Sequence, residues 1–375
     1  MIYRTFQTLK LSALGFGGAR LPVVEGRDKE VDQEETQRLV DYALAHGINY
    51  FDTAWGYHGG AGELAIGRAL KRHPRDSFYL ADKFPGYDLP NMPRVREIFP
   101  EQLRKCQVDY FDFYLIHNVC EAAIDAYLDP RYGVMDYLLE QKAAGRIRHL
   151  GFSAHGSVPV IQRFLEAYGA HMEFCQIQLN WLDWELQDAR GKTDLLRRLG
   201  LPIWVMEPVR GGRLARLDGD AEAQLRRLRP QEGIPAWSFR FLQSIPEVCV
   251  TLSGMSTMEQ LQDNLRTFEE DRPLDQGEWD ALLSIARRMT GGVPCTACHY
   301  CTSHCPQELD IPTLLMLYND LVFSQGGLLV PRAAAALPPE KRPAACVGCG
   351  SCAAVCPQQI HIPQALADFA RRLEG

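Results

Sequence analysis

No apolar run in the sequence approaches the roughly 18–20 residues of a membrane helix, so a helical membrane span is excluded. Its opening stretch, MIYRTFQTLKLSALGFGG, alternates polar and apolar residues without an unbroken apolar core, so no secretory leader is expected. Positive charge is in deficit. Lys and Arg number 40 against 47 Asp and Glu, a formal net charge of −7, and there is no long basic run. That argues against a surface for nucleic acid or any other polyanion. No G-x-G-x-x-G follows the first strand-like run, which weakens a doubly wound dinucleotide sheet, and no flavin motif is visible. Isolated cysteines are few: of 12, only Cys106, Cys120, Cys175 and Cys249 stand singly, and these read as small core hydrophobes. The other eight are clustered. Without an export signal, clustered thiols are expected to be metal ligands in a reducing cytoplasm rather than disulfides.

What is present begins with a repeat of strand and helix. Eight short apolar runs stand between residues 13 and about 255: ALGFGG (13–18), INYFDTA (48–54), SFYLADKF (77–84), FDFYLIHN (111–118), IRHLGFSA (147–154), FCQIQLN (174–180), PIWVMEP (202–208) and VCVTLSG (248–254). Helical stretches such as EETQRLVDYALAHG separate them, several ending in Gly. Such alternation gives parallel strands with right-handed crossovers. Eight units point to the α/β class and a closed (β/α)₈ TIM barrel. YRTFQ and LKLSA form a candidate hairpin plugging its floor. Beyond WDALLSIARRM the strand signal disappears. The sequence therefore reads as a barrel over residues 1–285 and a small, mainly helical, ferredoxin-like domain over 286–375. Within the second, IPTLLMLYND reads as helix and LVPRAAAALPPEKRP (329–343) as a loop-like connection.

The second region carries C-x₂-C-x₂-C-x₃-C-P twice: Cys295, Cys298, Cys301, Cys305, then Cys346, Cys349, Cys352, Cys356. Two-residue gaps bring three thiolates onto one face of a cubane, and the fourth reaches the neighbouring cluster. The spacing thus predicts one [4Fe–4S] on Cys295, Cys298, Cys301 and Cys356, and another on Cys346, Cys349, Cys352 and Cys305. Zinc, which pairs two knuckles, would leave the later thiols of each run unused. The motif resembles a bacterial-type dicluster ferredoxin. Its long gap, Pro306 to Ala345, is closer to the helical ferredoxin modules attached to reductases.

In a barrel of this kind, polar residues at the strand C-terminal ends are the ones to suspect. Asp52, Lys83 and His117 end successive runs, and Tyr57 lies in the loop after Asp52. Lys and Asp at adjacent strand ends should pair, because either charge alone is costly to bury. An ammonium beside a phenol is expected to lower its pKa from about 10, so that Tyr57 could protonate a carbonyl oxygen oriented by His117.

At these positions the sequence resembles the aldo/keto reductase family, through GINYFDTAWGY, GELAIGRAL, LADKF, YLIHN, GFS and SGMSTMEQLQDNL, over about residues 3 to 270. The resemblance implies that Asp52, Tyr57, Lys83 and His117 are the catalytic tetrad acting on a small carbonyl or alcohol. It also implies that an NAD(P)H site includes Ser153, Gln176, Met206, Gly211, Gly212, Arg213, Ser253 and Asn264. Two departures stand out: Met206 replaces the aromatic that stacks on the nicotinamide, and Gly254 and Gln260 replace basic residues that meet a 2′-phosphate. NAD and NADP are both left open. So are three uses of the clusters: structural or regulatory, supplying electrons to a substrate or to a bound flavin, or sensing on a barrel without turnover. The favoured reading is an oxidoreductase coupled through its clusters to a low-potential electron carrier. The alternative is an electron-transfer or redox-sensing protein on a reductase scaffold.

Overall fold

The computed structural model describes residues 1–25, 30–290, 292–293, 295, 301–324, 329–356 and 358–374. They form two compact units, Met1–Asn180 with Ala189–Trp279, and Trp181–Asp188 with Asp280–Gly375. Composition puts the division near residue 285 and leaves 181–188 with the barrel. The contacts of that segment place it in the second unit instead; its Trp181, Leu182 and Leu186 are buried.

The first unit opens with an antiparallel hairpin, β1 (Tyr3–Phe6) and β2 (Leu9–Ser12). Eight parallel strands follow: β3 (Leu14–Gly17), β4 (Tyr50–Asp52), β5 (Tyr79–Phe84), β6 (Phe111–Val119), β7 (Ile147–Ala154), β8 (Cys175–Gln178), β9 (Ile203–Met206) and β10 (Val248–Ser253). They close as a barrel, β10 pairing back onto β3. Each expected run contains one strand.

Side chains alternate across a strand, so every second residue enters the barrel. Near the strand starts these are bulky: Tyr50, Phe113, Phe174 and Trp204 form a buried cluster with Phe6 and Leu11 of the hairpin. Phe6 packs edge-on to Trp204 at 5.1 Å between ring centres. The hairpin therefore fills the barrel floor, as its alternating pattern suggests. Continuing the same alternation upward leads from Tyr50 to Asp52, from Ala81 to Lys83, from Phe113 to Leu115 and His117, and from Trp204 to Met206. The fold thereby reserves the C-terminal mouth for polar groups.

Glu173, just before β8, ties the floor together. Its carboxylate lies 2.8 Å from His149 Nδ1 and accepts from Lys142 Nζ at 2.6 Å, Gln7 Nε2 at 2.8 Å and the Leu150 N–H at 3.0 Å. Burial alone would raise its pKa, but these donors together bring it down to about 2. A carboxyl depressed in the folded state adds stability above its unfolded value, here 4.5, and that stability fades as pH falls from there toward 2. Glu173→Gln should cost on the order of 2 kcal/mol at pH 7 and flatten the acid limb of thermal stability in that window. Calorimetry across pH checks this; an unchanged acid limb would refute it.

In the second unit, helices Ile311–Ser324, Leu329–Ala336 and Ile362–Glu374 surround a core of Leu309, Leu314, Leu315, Ile362, Leu366 and Phe369. IPTLLMLYND is helical, as expected. The stretch beginning at Leu329 is not the loop expected from its prolines. Pro331 sits in the first helical turn, where its missing N–H costs nothing, and the alanines that follow are strong helix formers. The segment 181–188 is anchored within this unit by an ion pair from Arg287 to Glu185 at 2.5 Å and by Gln187 Nε2 donating to Asp320 Oδ2 at 2.7 Å. Among the described residues no helix is long and apolar enough to cross a membrane.

Candidate active site and thiol pocket

Strand register brings the mouth residues together. Asp52 pairs with Ala81, two residues before Lys83, and Lys83 pairs with Leu115, two before His117. Each inward residue is thus displaced by one step up the next strand, within reach of a long side chain. Lys83, fully buried, donates to Asp52 Oδ1 at 2.5 Å and to the Thr53 carbonyl at 2.7 Å. Burial would lower its pKa, but Asp52 and then Tyr57 outweigh burial and hold it above the usual lysine value. The amine is therefore a charged ammonium, 5.2 Å from the centre of the Tyr57 ring.

Tyr57 departs from expectation in one respect. Lys83 does pull its pKa down, but burial is the larger effect and Asp52 adds to it, so the phenol is pushed up to about 12 rather than made acidic. His117 lies beside it, ring centres 6.4 Å apart and planes at 85°. Burial first, then the Lys83 charge, pushes the imidazole well below its ordinary pKa, so it is neutral near pH 7. Its Nδ1 has no hydrogen-bond partner among the described residues, and Tyr127 donates to its carbonyl at 2.5 Å.

The loop carrying Tyr57 turns back through His58, Gly59 and Gly60, with φ of 52°, 63° and 95°. Its far end is fixed where the Leu21 N–H donates to His58 Nε2 at 3.1 Å. A Cβ on Gly62 would lie 2.9 Å from Tyr57 Cβ, so glycine lets helix Gly62–Leu70 start directly against the backbone and Cβ of Tyr57.

Two features escape sequence reasoning. The Tyr87 ring stands 4.9 Å from that of His117 at 82°, roofing the same space; its only signal is an aromatic in the loop after Lys83. Behind β5, buried Gln102 donates to the Lys83 carbonyl and to Glu63, each at 3.0 Å, while Lys105 pairs with Glu63 and lies 4.3 Å from the centre of the Trp55 ring. This network fixes the end of β5 that presents Lys83. Glu63 inside an otherwise apolar helix face is the trace it leaves in the sequence.

The residues matched to a nicotinamide site divide into groups. Ser153 Oγ accepts from the Asn118 N–H at 2.8 Å. Gln176 Nε2 lies 3.8 Å from Met206 Sδ, and its buried Oε1 has no partner among the described residues, which suits an incoming carboxamide. Asn264 Nδ2 donates to Ser253 Oγ at 3.0 Å. Gly211 and Gly212 have φ of 65° and 92°, opening a loop next to exposed Arg213.

In the second unit, Cys305 lines one pocket with Cys346, Cys349 and Cys352. Those are the four thiols that the motif spacing assigns to one cluster. Cys301 and Cys352 are buried, and burial pushes the Cys301 thiol up to about 11. Cys295 neighbours Cys301, Cys356 packs against the unit's core, and Cys298 lies outside the described residues. Exposed Cys349 is pulled the other way, toward thiolate, by the N–H and hydroxyl of Ser351. Among the described residues no three His, Cys, Asp or Glu side chains converge on a single ion. Four thiols around one pocket suit a cubane, where each thiolate takes its own iron. Of the single cysteines, Cys106, Cys175 and Cys249 are buried and Cys120 half-buried.

Fold and mouth together define a (β/α)₈ barrel with a charged Lys–Asp pair set beside a tyrosine and a neutral histidine. Residues 13–287 match the aldo/keto reductase family, and the chain belongs to that family. Residues 294–361 match the 4Fe-4S dicluster domain, so the barrel is fused to an iron–sulfur domain. Probable aldo-keto reductase 1 of Glycine max is 28% identical over 214 residues, 55% of this chain and 58% of that protein. NADH-specific methylglyoxal reductase of Escherichia coli (strain K12) is 25% identical, covering 55% of this chain and 66% of its own length. The chain thus spans about six-tenths of these curated relatives. Among solved structures, the holo form of an aldo-keto reductase from Bacillus halodurans is 27% identical with a TM-score of 0.62, over 76% of this chain and 96% of that one.

Proposed function

We propose that the chain is an oxidoreductase acting on carbonyl and alcohol groups, with Tyr57 as the proton donor. Cys295, Cys298, Cys301 and Cys356, and Cys346, Cys349, Cys352 and Cys305, hold two [4Fe–4S] clusters that relay electrons to or from the barrel site. The convergence of charged Lys83, Asp52, Tyr57 and neutral His117 is the observation that carries this reading.

His117, neutral, donates a ring N–H to the carbonyl oxygen and so fixes it beside the Tyr57 hydroxyl. A nicotinamide seated against Gln176, Met206 and Ser153 would supply hydride when bound; the clusters would supply single electrons, two of which, with one proton from solvent to carbon, match one hydride. As the carbonyl carbon gains its electron pair, the oxygen becomes an alkoxide, a base comparable to hydroxide (bulk water has a pKa of about 15.7). A phenol at about 12 is the stronger acid, so the proton passes downhill from Tyr57. The Lys83 ammonium then compensates the phenolate, and Asp52 holds that ammonium in place. A high phenol pKa is thus no obstacle. It keeps Tyr57 protonated throughout the physiological range.

The pH profile tests this. For reduction, kcat/KM should show no inflection from these groups between about pH 7 and 9, because Tyr57 stays protonated and His117 neutral. For alcohol oxidation, where the phenolate must act as base, it should rise with pH toward 12. A reduction limb falling near pH 7 would contradict the assignment. An anaerobic preparation should contain about eight iron and eight sulfide per chain. Stoichiometric flavin in it would place the conversion between hydride and single electrons on that group. The expected partners are a small carbonyl or alcohol and a low-potential electron carrier.

A further inference from the structure

We infer that the dinucleotide site is gripped at the pyrophosphate by Arg20 and takes NADH in preference to NADPH. This rests on the hydride-transfer reading above. In (β/α)₈ barrels, phosphates gather at the loops after the seventh and eighth strands and at the helix that follows. Here those strands are β9 and β10, and their loops are occupied in different ways.

After β9, Gly211 and Gly212 open the backbone, and the Arg20 guanidinium reaches over them: a Cβ on Gly211 would lie 3.1 Å from Arg20 Nη2. The Arg20 side chain is 53% exposed, and its pairing with Glu207 is long, at 3.9 Å, so the guanidinium can turn to an anion at small cost. Its position is fixed from the other loop. Ser256 Oγ donates to the Arg20 carbonyl at 2.8 Å. The aliphatic stem fills the place where a side chain at 254 would stand, with Arg20 Cβ, Cγ and Cδ within 2.9–3.1 Å of the missing Gly254 Cβ. Glycine at 254 and arginine at 20 are therefore one arrangement.

After β10 the helix Met258–Thr267 offers little to an extra phosphate. One first-turn donor is already used, the Gln260 N–H donating to Thr257 Oγ1 at 3.3 Å, and Gln260 Oε1 accepts from the Ser256 N–H at 2.8 Å, close to a capping box. Asn264 is committed to Ser253. Exposed Glu259 places a carboxylate in the first turn, and no Lys or Arg occurs from Gly254 to Asn264. A 2′-phosphate, with a charge near −2 at pH 7, would meet the Glu259 carboxylate on that helix and no base from residues 254–264. The pyrophosphate shared by both nucleotides meets Arg20.

The test is fluorescence titration of the full-length, cluster-loaded protein with NADH and with NADPH. Wild type should bind NADH at least about tenfold more tightly. Arg20→Ala should weaken both nucleotides by a similar factor, and Gln260→Arg should raise NADPH affinity while leaving NADH affinity nearly unchanged. Gln260→Ala serves as the folding control and should leave the ratio as it is. Tighter binding of NADPH by wild type, or an Arg20→Ala effect confined to NADPH, would overturn the inference and leave hydride transfer standing. Failure of wild type to bind either nucleotide would overturn both.

Discussion

Tyr57→Phe is expected to lower kcat for carbonyl reduction by about 10²–10⁴-fold, with nucleotide affinity and iron content unchanged. The substitution removes one oxygen and little else. The ring remains beside His117, and the Lys83–Asp52 pair keeps its own hydrogen bonds. Lys83→Met is a less discriminating probe. It would raise the phenol pKa further by removing the opposing charge, but it would also strand Asp52 in a dry site at a cost of about 3–5 kcal/mol. Lost activity would then be hard to separate from lost structure. Phenylalanine at 57 also tells an enzyme from a sensor or plain electron carrier, since neither of the latter needs a proton at this oxygen. Turnover kinetics beside an iron assay and a nucleotide titration decide the matter. Undiminished kcat would remove Tyr57 from the mechanism.

Cys305→Ser is expected to remove about half the iron, on the order of four atoms of eight per chain, and the cluster lost should be the one served by the other motif. Cys305 lines a single pocket with Cys346, Cys349 and Cys352, although some forty residues of chain lie between. The double replacement Cys305→Ser with Cys346→Ser gives a sharper result. Thiols that share one cluster should lose no more iron together than either does alone, a non-additivity characteristic of groups acting as a unit. Loss of nearly all the iron in the double variant, with about half lost in each single one, would show that each motif holds its own cluster. Cys352 and Cys301, buried in the unit's core, would report less cleanly, because removing either also disturbs packing.

Much of this was legible from periodicity. Eight apolar runs of strand length, separated by helical spacing, specify a closed parallel barrel. The two-residue alternation that buries Tyr50 and Phe113 necessarily points Asp52 and His117 into the mouth. The thiol spacing marked the region that matches a 4Fe-4S dicluster domain, because two-residue gaps between cysteines suit a cubane. What was not legible depends on competition between effects. Spacing shows that Lys83 can reach Tyr57, but not that burial of the phenol outweighs the ammonium. Local propensity in LVPRAAAA was masked by prolines whose position within the first helical turn decides their effect. Tyr87, Arg20 and the Gln102–Glu63–Lys105 network lie in loops and outer helices, where no period marks the residues that meet. The segment 181–188 reads as an ordinary barrel connection, and contacts such as Glu185 with Arg287 and Gln187 with Asp320 assign it to the second unit.

The proposed mechanism requires that electrons stored on the cubanes reach a carbonyl that the phenol protonates. Fully reduced protein, mixed anaerobically with a panel of small aldehydes and ketones, should regain its visible iron–sulfur absorbance as alcohol forms, each cluster giving one electron, with one proton from Tyr57 to oxygen and one from solvent to carbon. Phe at position 57 should abolish that recovery. Equal recovery in both proteins, or reduced cubanes indifferent to every carbonyl offered while nicotinamide-driven turnover proceeds, would contradict it.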